Sequence, residues 1–255
     1  MRPWKENLKA LGGGLALLLA FTLPWAAYTA ACLHTGSSVA AGGTAELTQG
    51  EDEAPLIALT FDDGPSSATT PALLDGLARR GVHATFFLVG SMAADNHDLV
   101  RRMSDEGHQI GVHTYDHSLS KGLTGLSEAQ FRAQVDTTRD LLTALTGQTQ
   151  YALRPPYGFV DDSVRRWAEG PIILWSVDPE DWKDHDVERI VASVVERVED
   201  GDVILMHDIY QASVEAAVRI VDALEEKGFC FVTVEQLMAR QGIAPEAGVL
   251  FPQRP

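Results

Sequence analysis

The chain has 255 residues, of which 45% are apolar, so it can form one sizeable globular domain or two small ones. Its formal net charge is −16, and it has no basic stripe that could neutralise phosphates, which excludes a nucleic-acid partner.

The first 33 residues differ in composition from the rest of the chain. Three basic residues lie ahead of Leu11–Leu33, a run without any charged side chain. About 20 apolar residues can span a bilayer, and a basic stretch followed by an apolar run is also typical of a signal peptide. Residues 1–33 are therefore predicted to be a signal peptide or an N-terminal membrane anchor, and Cys32 in "TAAC" leaves a lipoprotein cleavage site open. All three alternatives place the remaining chain outside the cytoplasmic membrane, either secreted or tethered to its outer face.

Composition divides the rest of the chain into three parts. Residues 34–54 are rich in Gly, Ser, Ala and Thr and end in acidic residues, which predicts a flexible tether. Residues 55–241 are predicted to form the globular domain, and residues 242–255 a C-terminal tail. Contact with a membrane is expected only through the N-terminal segment, and the sequence leaves the oligomeric state undetermined.

From Leu56 onward, short apolar runs alternate with amphipathic stretches of helical period. The predicted strands are Leu56–Phe61, Ala84–Val89, Gln109–Val112, Tyr151–Arg154, Ile172–Ser176, Val203–Met206 and Cys230–Val232. Several helical stretches end in glycine, as helix C-termini often do. The alternation predicts an α/β fold with parallel strands joined by right-handed crossovers, in either an open sheet or a barrel.

Polar motifs follow five of the predicted strands, and all of them lie at carboxyl ends. "DDG" follows the first strand, "HTYDH" the third, "RPPYG" the fourth, "VDPEDW" the fifth and "HD" the sixth. Strand ends from both halves of the chain can converge on one ligand more easily in a barrel than in an open sheet. The sequence therefore favours an incomplete, distorted (β/α)7 barrel.

Two of these motifs carry metal-ligand chemistry. Neighbouring strand residues point to opposite faces, so Asp62 and Asp63 can share one pocket only if the strand stops at Gly64-Pro65. "HTYDH" places His113 and His117 four residues apart, a spacing that lets two imidazoles on one helical turn bind one metal. With Asp63 as the third ligand, the set leaves one coordination position open for water. It suits zinc best, and cobalt, iron, nickel and manganese stay open.

The series "TFDDGP", "HTYDH", "RPPYG", "DPEDW" and "LMH" resembles the five motifs of the polysaccharide deacetylase family, also called the NodB-homology domain or carbohydrate esterase family 4. The likeness covers roughly Leu56 to Gln241. It implies a metal-dependent hydrolase that uses metal-bound water to remove N-acetyl or O-acetyl groups from a polysaccharide.

The resemblance implies a role for each matched residue around the metal. Asp62 corresponds to the general base, and Asp63, His113 and His117 correspond to the metal ligands. Arg154 of "RPPYG" corresponds to the arginine that holds the base, although an ordinary salt bridge of the barrel is an alternative for it.

Four further residues match the other side of the family's site. His207 corresponds to the general acid, and Asp181 to the carboxylate that keeps this histidine protonated. The main-chain N–H of Tyr157 corresponds to the donor that stabilises the oxyanion. Trp182 corresponds to the pocket wall, with core packing as the alternative. Asp178 and Asp208 are interpreted as turn residues or as supports of the site.

Several functional alternatives stay open. A glycosidase also uses paired carboxylates, but these must flank a glycosidic bond at about 5 to 9.5 Å from each other. A catalytically inactive carbohydrate-binding domain is the alternative outside enzymes. Among substrates, the amino sugars of peptidoglycan are expected first, with chitin oligosaccharides and acetylated xylan as alternatives. The expected partner is thus an N-acetylated glycan.

Overall fold

A computed structural model describes residues 54–252, so the predicted N-terminal segment and all of the predicted tether except Ala54 lie outside the described residues. The strands in that range are β1 Leu56–Asp62, β2 Thr85–Leu88, β3 Gln109–Val112, β4 Ile172–Ile173, β5 Val203–His207, β6 Cys230–Phe231 and β7 Leu250–Phe251. The helices are α1 Thr70–Ala78, α2 Gly90–Asp95, α3 His97–Asp105, α4 Glu128–Thr146, α5 Asp162–Trp167, α6 Val187–Val195, α7 Gln211–Glu226 and α8 Val234–Arg240. A short 3₁₀ helix, Pro156–Gly158, lies between α4 and α5.

Strand β1 is the central element of the fold. All seven of its residues are buried, as expected of a parallel strand covered on both faces. It lies between β2 and β5 and also pairs with β6 near its beginning, and every one of these pairings is parallel. The predicted alternation of strands and helices is confirmed.

The sheet closes on itself through two short, irregular segments. Beyond β3, Leu153 forms parallel bridges to Val112 on one side and to Ile172 on the other. The chain after β4 then moves across to β5, where Val177 bridges Ile204. The described chain therefore forms a distorted barrel with one segment reduced to a single bridging residue, and the predicted fold class is confirmed.

The predicted fourth strand, Tyr151–Arg154, is reduced to the bridge at Leu153. Two prolines, Pro155 and Pro156, follow it directly. Proline has no N–H to donate to a neighbouring strand, so the ladder cannot extend beyond Arg154.

The predicted fifth strand, Ile172–Ser176, is shortened to the two residues of β4, because the chain changes partners within it. The N–H of Leu174 donates to Phe251 in β7, whereas the N–H of Ser176 donates to Val203 in β5. A segment that leaves one neighbour for another cannot form a long ladder with either.

Strand β7 lies in the segment assigned from the sequence to a C-terminal tail. Its two residues pair in parallel with β4, and the side chain of Phe251 is completely buried. A strand of two residues is too short to show alternation of apolar and polar side chains, which explains why the sequence did not indicate it.

Helix α4 shows how local sequence signals define an element. Ser127 and Gln130 form a capping box at its start, and Gly147, with a φ of 75°, ends it in the left-handed conformation. Its buried residues lie on one stripe that faces the barrel: Phe131, Val135, Thr138 and Leu142. Among the described helices, none has both the length and the hydropathy that crossing a bilayer requires.

We predict that Phe251→Ala lowers the free energy of unfolding by about 3–5 kcal/mol, because it leaves a cavity beside β4. Urea denaturation of the purified protein measures this loss. Leu250→Ala is the matched control, since Leu250 is only half-buried in the same strand and should cost less than about 2 kcal/mol. Equal, small effects of the two substitutions would show that β7 is not part of the cooperative fold.

Candidate active site

The candidate site lies at the carboxyl ends of the barrel strands. Asp62 is the last residue of β1 and pairs in register with His207, the last residue of β5. His113 follows β3 directly, and Arg154 follows the bridge at Leu153. The barrel thus brings together side chains that are far apart in the sequence.

A change of backbone conformation between Asp62 and Asp63 directs both adjacent carboxylates into the same pocket. Asp62 has strand geometry, whereas Asp63 has a φ of 72° in the left-handed region, which ends the strand. Gly64 follows, and a Cβ at this position would collide with the carboxylate of Asp208. The predicted stop at Gly64-Pro65 is therefore the feature that turns Asp63 back toward the barrel axis.

Asp63, His113 and His117 form a cluster with the geometry of a metal site. Oδ1 of Asp63 lies 3.5 Å from Nε2 of His113 and 3.7 Å from Nε2 of His117. Oδ2 of Asp62 also approaches Nε2 of His113, at 3.6 Å. Donor atoms bound tetrahedrally to zinc lie about 3.3 Å apart. Oδ1 of Asp63 is buried and has no hydrogen-bond donor, which is unfavourable unless a cation binds there. The three residues therefore fit a divalent metal, and they are the one such cluster found in residues 54–252.

A hydrogen bond sets the tautomer of His113. Nδ1 of His113 donates to the main-chain oxygen of Arg154 at 2.7 Å, which leaves the lone pair of Nε2 for the cluster. Burial lowers the pKa of His113 and outweighs the opposing effect of Asp62 and Asp63. The imidazole is therefore neutral, as a metal ligand must be.

The prediction that His113 and His117 lie on one helical turn is wrong. The segment between them contains no helix, and both Thr114 and His117 have positive φ values, 66° and 52°. Helix α4 holds this loop, because Thr138 Oγ1 donates to the oxygen of Thr114 at 3.0 Å and Gln134 accepts from main-chain N–H groups of the loop. A tight loop rather than a helix brings the two imidazoles together.

Arg154 is completely buried, and each of its three guanidinium nitrogens donates at least one hydrogen bond. Its Nη1 donates to Oδ1 of Asp62 and to Oγ1 of Thr60, both at 2.7 Å. Its Nη2 and Nε donate to the main-chain oxygens of Leu174 and Ile173 at 2.9 and 3.2 Å. The guanidinium therefore fixes the Asp62 carboxylate in one orientation by a charge-assisted hydrogen bond. Its ion pair with Asp62 is both a salt bridge inside the barrel and the contact that holds the candidate base.

His207 and Asp181 form a second buried pair at the site. Nδ1 of His207 lies 2.8 Å from Oδ1 of Asp181, and the main-chain N–H of His207 donates to Oδ2 at 2.9 Å. Burial alone would lower the pKa of His207, but Asp181, with smaller contributions from Asp62 and Asp63, raises it to about 9. His207 is therefore protonated at neutral pH, and Nε2 is the ring nitrogen left to face a substrate.

Tyr157 lies beside the metal cluster, and Trp182 follows Asp181 directly in the chain. Tyr157 has a φ of 61° within the 3₁₀ helix, and its ring lies 5.1 Å from that of His117. Trp182 is 50% exposed, so the alternative of core packing is wrong for this residue. Both side chains are available to a ligand.

Two residues of the site were not assigned a defined role from the sequence. Asp208 is fully buried, and its carboxylate accepts a hydrogen bond from Oγ1 of Thr70. Burial raises the pKa of Asp208 to about 7 against the effect of that bond, and the charge of Asp63 adds to the rise. The ring of Tyr210 lies 6.4 Å from that of His207, and burial with the charges of Asp63 and Asp181 raises the pKa of its hydroxyl. The sequence motif "HD" contains Asp208, but a local pattern cannot indicate its contact with Thr70, because the two residues lie 138 positions apart.

Comparison with known proteins agrees with this geometry. A sequence profile described as polysaccharide deacetylase matches residues 49–170. The chain is 42% identical over 182 residues to the peptidoglycan-N-acetylmuramic acid deacetylase PdaC of Bacillus subtilis, which covers 71% of this chain and 38% of that protein. It is 39% identical over 188 residues to a peptidoglycan-N-acetylglucosamine deacetylase of Bacillus cereus, which covers 71% of this chain and 67% of the relative.

Solved structures show the same likeness. The PdaC structure superimposes with a TM-score of 0.71 at 41% identity, covering 74% of this chain and 92% of that one. A family 4 acetyl xylan esterase from Clostridium thermocellum in complex with a cobalt ion gives a TM-score of 0.73 at 29% identity, covering 78% and 99%. The chain spans well under half the length of the full PdaC protein.

We predict that His113→Ala and Asp63→Ala each weaken Co²⁺ binding by more than about 100-fold, since loss of a direct ligand costs more than loss of an outer partner. Isothermal titration calorimetry and the visible spectrum of Co²⁺ report the binding. His97→Ala is the control, because His97 is exposed on α3 outside the cluster. Unchanged affinity in both ligand variants would exclude this cluster as the metal site.

We predict that His207 in the metal-free protein loses its proton as the pH rises through about 9. In Asp181→Asn the main stabilising charge is gone and burial dominates, so the pKa falls below that of the wild type. Histidine NMR titrations of both proteins measure the two values. A wild-type pKa of about 6.5, the ordinary value for histidine, would show that Asp181 does not control His207.

Proposed function

The chain belongs to the polysaccharide deacetylase family, and from this premise we propose that it is a hydrolase that removes acetyl groups from a cell-surface polysaccharide. Its preferred substrate in this proposal is peptidoglycan, at the N-acetyl groups of its amino sugars. One observation carries the proposal, and it is the set of groups around the cluster of Asp63, His113 and His117. The carboxylate of Asp62 approaches this cluster, and the charge of Asp63 acts on a protonated His207. The names of the two bacterial relatives described above support the choice of substrate.

Hydrolysis of an acetamide needs an activated water, stabilisation of a developing oxyanion and a proton for the departing amine. The family is metal-dependent, and zinc suits the two imidazoles and one carboxylate of this chain, with cobalt, iron, nickel and manganese as alternatives. When bound, a divalent cation supplies Lewis acidity, which makes water more acidic and polarises a carbonyl. The remaining requirements fall to side chains of this protein.

Asp62 is proposed as the general base. Its Oδ1 is occupied by Arg154, so Oδ2, which faces the cluster, is the atom that accepts the proton of the attacking water. Arg154 also keeps the carboxylate from rotating, which aligns Oδ2 for proton transfer. The main-chain N–H of Tyr157 is proposed to donate to the oxyanion, and Trp182 to form the pocket wall beside it.

His207 is proposed as the general acid. Asp181 holds its Nδ1, and its pKa of about 9 keeps Nε2 protonated at neutral pH. Protonation of the departing nitrogen by Nε2 completes cleavage of the amide bond. Asp181 acts through His207 and does not itself touch the substrate.

The geometry disfavours a glycosidase. The carboxylates of Asp62 and Asp63 approach the same atom of His113, at 3.6 and 3.5 Å, and so face one point instead of flanking a sugar bond. An inactive carbohydrate-binding domain would have no need for the buried Asp181 and His207 pair. We further propose that the domain works outside the cytoplasmic membrane, with residues 1–33 as its signal peptide or anchor and residues 34–54 as its tether.

The proposed function is tested by measuring acetate release, with defined metals, from peptidoglycan, chitin oligosaccharides and acetylated xylan. We expect release from peptidoglycan that is lost on chelation and restored by zinc or cobalt. Faster release from chitin or xylan would reassign the substrate, and no release from any of the three would reject the deacetylase function.

We predict that Asp62→Asn lowers kcat by about 10³-fold, since general base catalysis contributes about 10² to 10⁴. Its Co²⁺ affinity should change little, because Asp62 is not one of the proposed ligands. Asp98→Asn is the control, as Asp98 lies exposed on α3. An Asp62→Asn protein as active as wild type would rule out the proposed base, whatever its metal affinity.

A further inference from the structure

The large apolar side chains that stay exposed in residues 54–252 all follow strand ends on the same side of the barrel. They are Tyr115, Tyr157, Phe159 and Trp182, with exposed fractions between 36% and 50%. All four follow carboxyl ends of barrel strands or their irregular equivalents. Exposed apolar groups on the side of a barrel that carries the candidate site favour a ligand surface, whereas single exposed residues scattered over a protein do not.

Three of the ring contacts form a row that leads outward from the metal cluster. The rings of His113 and His117 lie 5.0 Å apart, those of His117 and Tyr157 lie 5.1 Å apart, and those of Tyr157 and Phe159 lie 5.7 Å apart. Phe159 is the outermost ring of this row. Among the ring contacts within residues 54–252 it has one with Tyr157 and none with His113 or His117, so it is continuous with the site only through Tyr157.

The backbone holds Phe159 firmly although its side chain is 48% exposed. Pro155 and Pro156 restrict the chain just before it, and its N–H donates to the oxygen of Pro156 at 3.4 Å. Gly158, with a φ of 70°, forms the turn, and a Cβ there would lie 3.0 Å from the ring of Trp175. A rigid turn that presents a phenyl ring to solvent provides a preorganised apolar surface.

The chemistry of phenylalanine limits what this surface can do. Its ring has no hydrogen-bonding atom, so it can neither coordinate a metal nor transfer a proton, and it contributes only through its apolar aromatic faces. A pyranose ring has such a face, made of its axial C–H groups, which carry partial positive charge and pack against the negative face of an aromatic ring. In a linear polysaccharide, the sugar next to the reacting one extends along the protein surface away from the cluster.

We propose that Phe159 is a specificity-determining residue that stacks on the sugar adjacent to the one being deacetylated. It makes the protein prefer oligomers and polymers over short fragments of the same glycan. This inference rests on the proposed function, because it assigns a binding position for the substrate of that same site.

The test compares wild type with Phe159→Ala, Phe159→Leu and Phe159→Trp. Substrates are the N-acetylated monosaccharide, which lacks the adjacent sugar, and a longer fragment of the same glycan, taken both from chitin and from peptide-free peptidoglycan strands. Phe159→Leu is the matched control for side-chain size and hydrophobicity, because it removes only the aromatic face. Phe159→Trp keeps that face.

We expect the alanine and leucine variants to raise KM for the longer fragment about tenfold, which corresponds to a loss of about 1.4 kcal/mol of binding free energy. The value of kcat should be unchanged, KM for the monosaccharide should change far less, and the tryptophan variant should resemble wild type. A fluorescence titration of the longer fragment in an Asp62→Asn background, with and without Phe159→Ala, measures the same loss without turnover.

Three outcomes would overturn the assignment. Equal KM effects on short and long fragments would place Phe159 beside the reacting sugar, and a leucine variant as good as wild type would exclude stacking. Loss of kcat together with weaker Co²⁺ binding would make Phe159 a support for His117 instead. Wild-type protein that releases no acetate from either glycan would reject the proposed function itself, which is a separate result.

Discussion

The site depends on one buried residue, Arg154, which orients Asp62 through its side chain and His113 through its main chain. Its guanidinium holds Oδ1 of Asp62 at 2.7 Å, and its main-chain oxygen accepts from Nδ1 of His113, also at 2.7 Å. The orientation of the candidate base and the tautomer of a candidate metal ligand therefore depend on the position of one backbone segment. Removing only the side chain would leave Asp62 as a buried carboxylate without its cation, which is strongly unfavourable.

The distortion of the barrel is what makes this arrangement possible. In a regular barrel, strand main-chain oxygens accept from N–H groups of the neighbouring strand. Here β4 has only two residues, and the oxygens of Ile173 and Leu174 accept from the guanidinium of Arg154. These contacts satisfy a charge that would otherwise be too costly to bury. The irregular segment that looks like a defect in the sheet thus provides the environment for the central cation.

Electrostatics divides the site into two halves with different tasks. Around His113, burial keeps the imidazole neutral so that it can bind a metal. Around His207, the buried carboxylate of Asp181 overcomes the same effect and keeps the imidazole charged. Two histidines in one pocket therefore have opposite protonation states, because burial dominates for His113, whereas the carboxylate of Asp181 outweighs burial for His207.

The sequence by itself determined the fold class and the positions of the polar motifs, because strand and helix periodicity and the turn residues at strand ends are local properties. The motifs in series also indicated the candidate ligands, although the helical spacing assumed for His113 and His117 was wrong. Only the tertiary structure decided that the bridges of Leu153 and Val177 close the barrel, that β7 pairs with β4, and that Asp63 turns inward at a positive φ. It alone placed Asp208 against Gly64 and Phe159 in a row of rings. These features depend on contacts between residues distant in the chain, and a local pattern contains no record of such contacts.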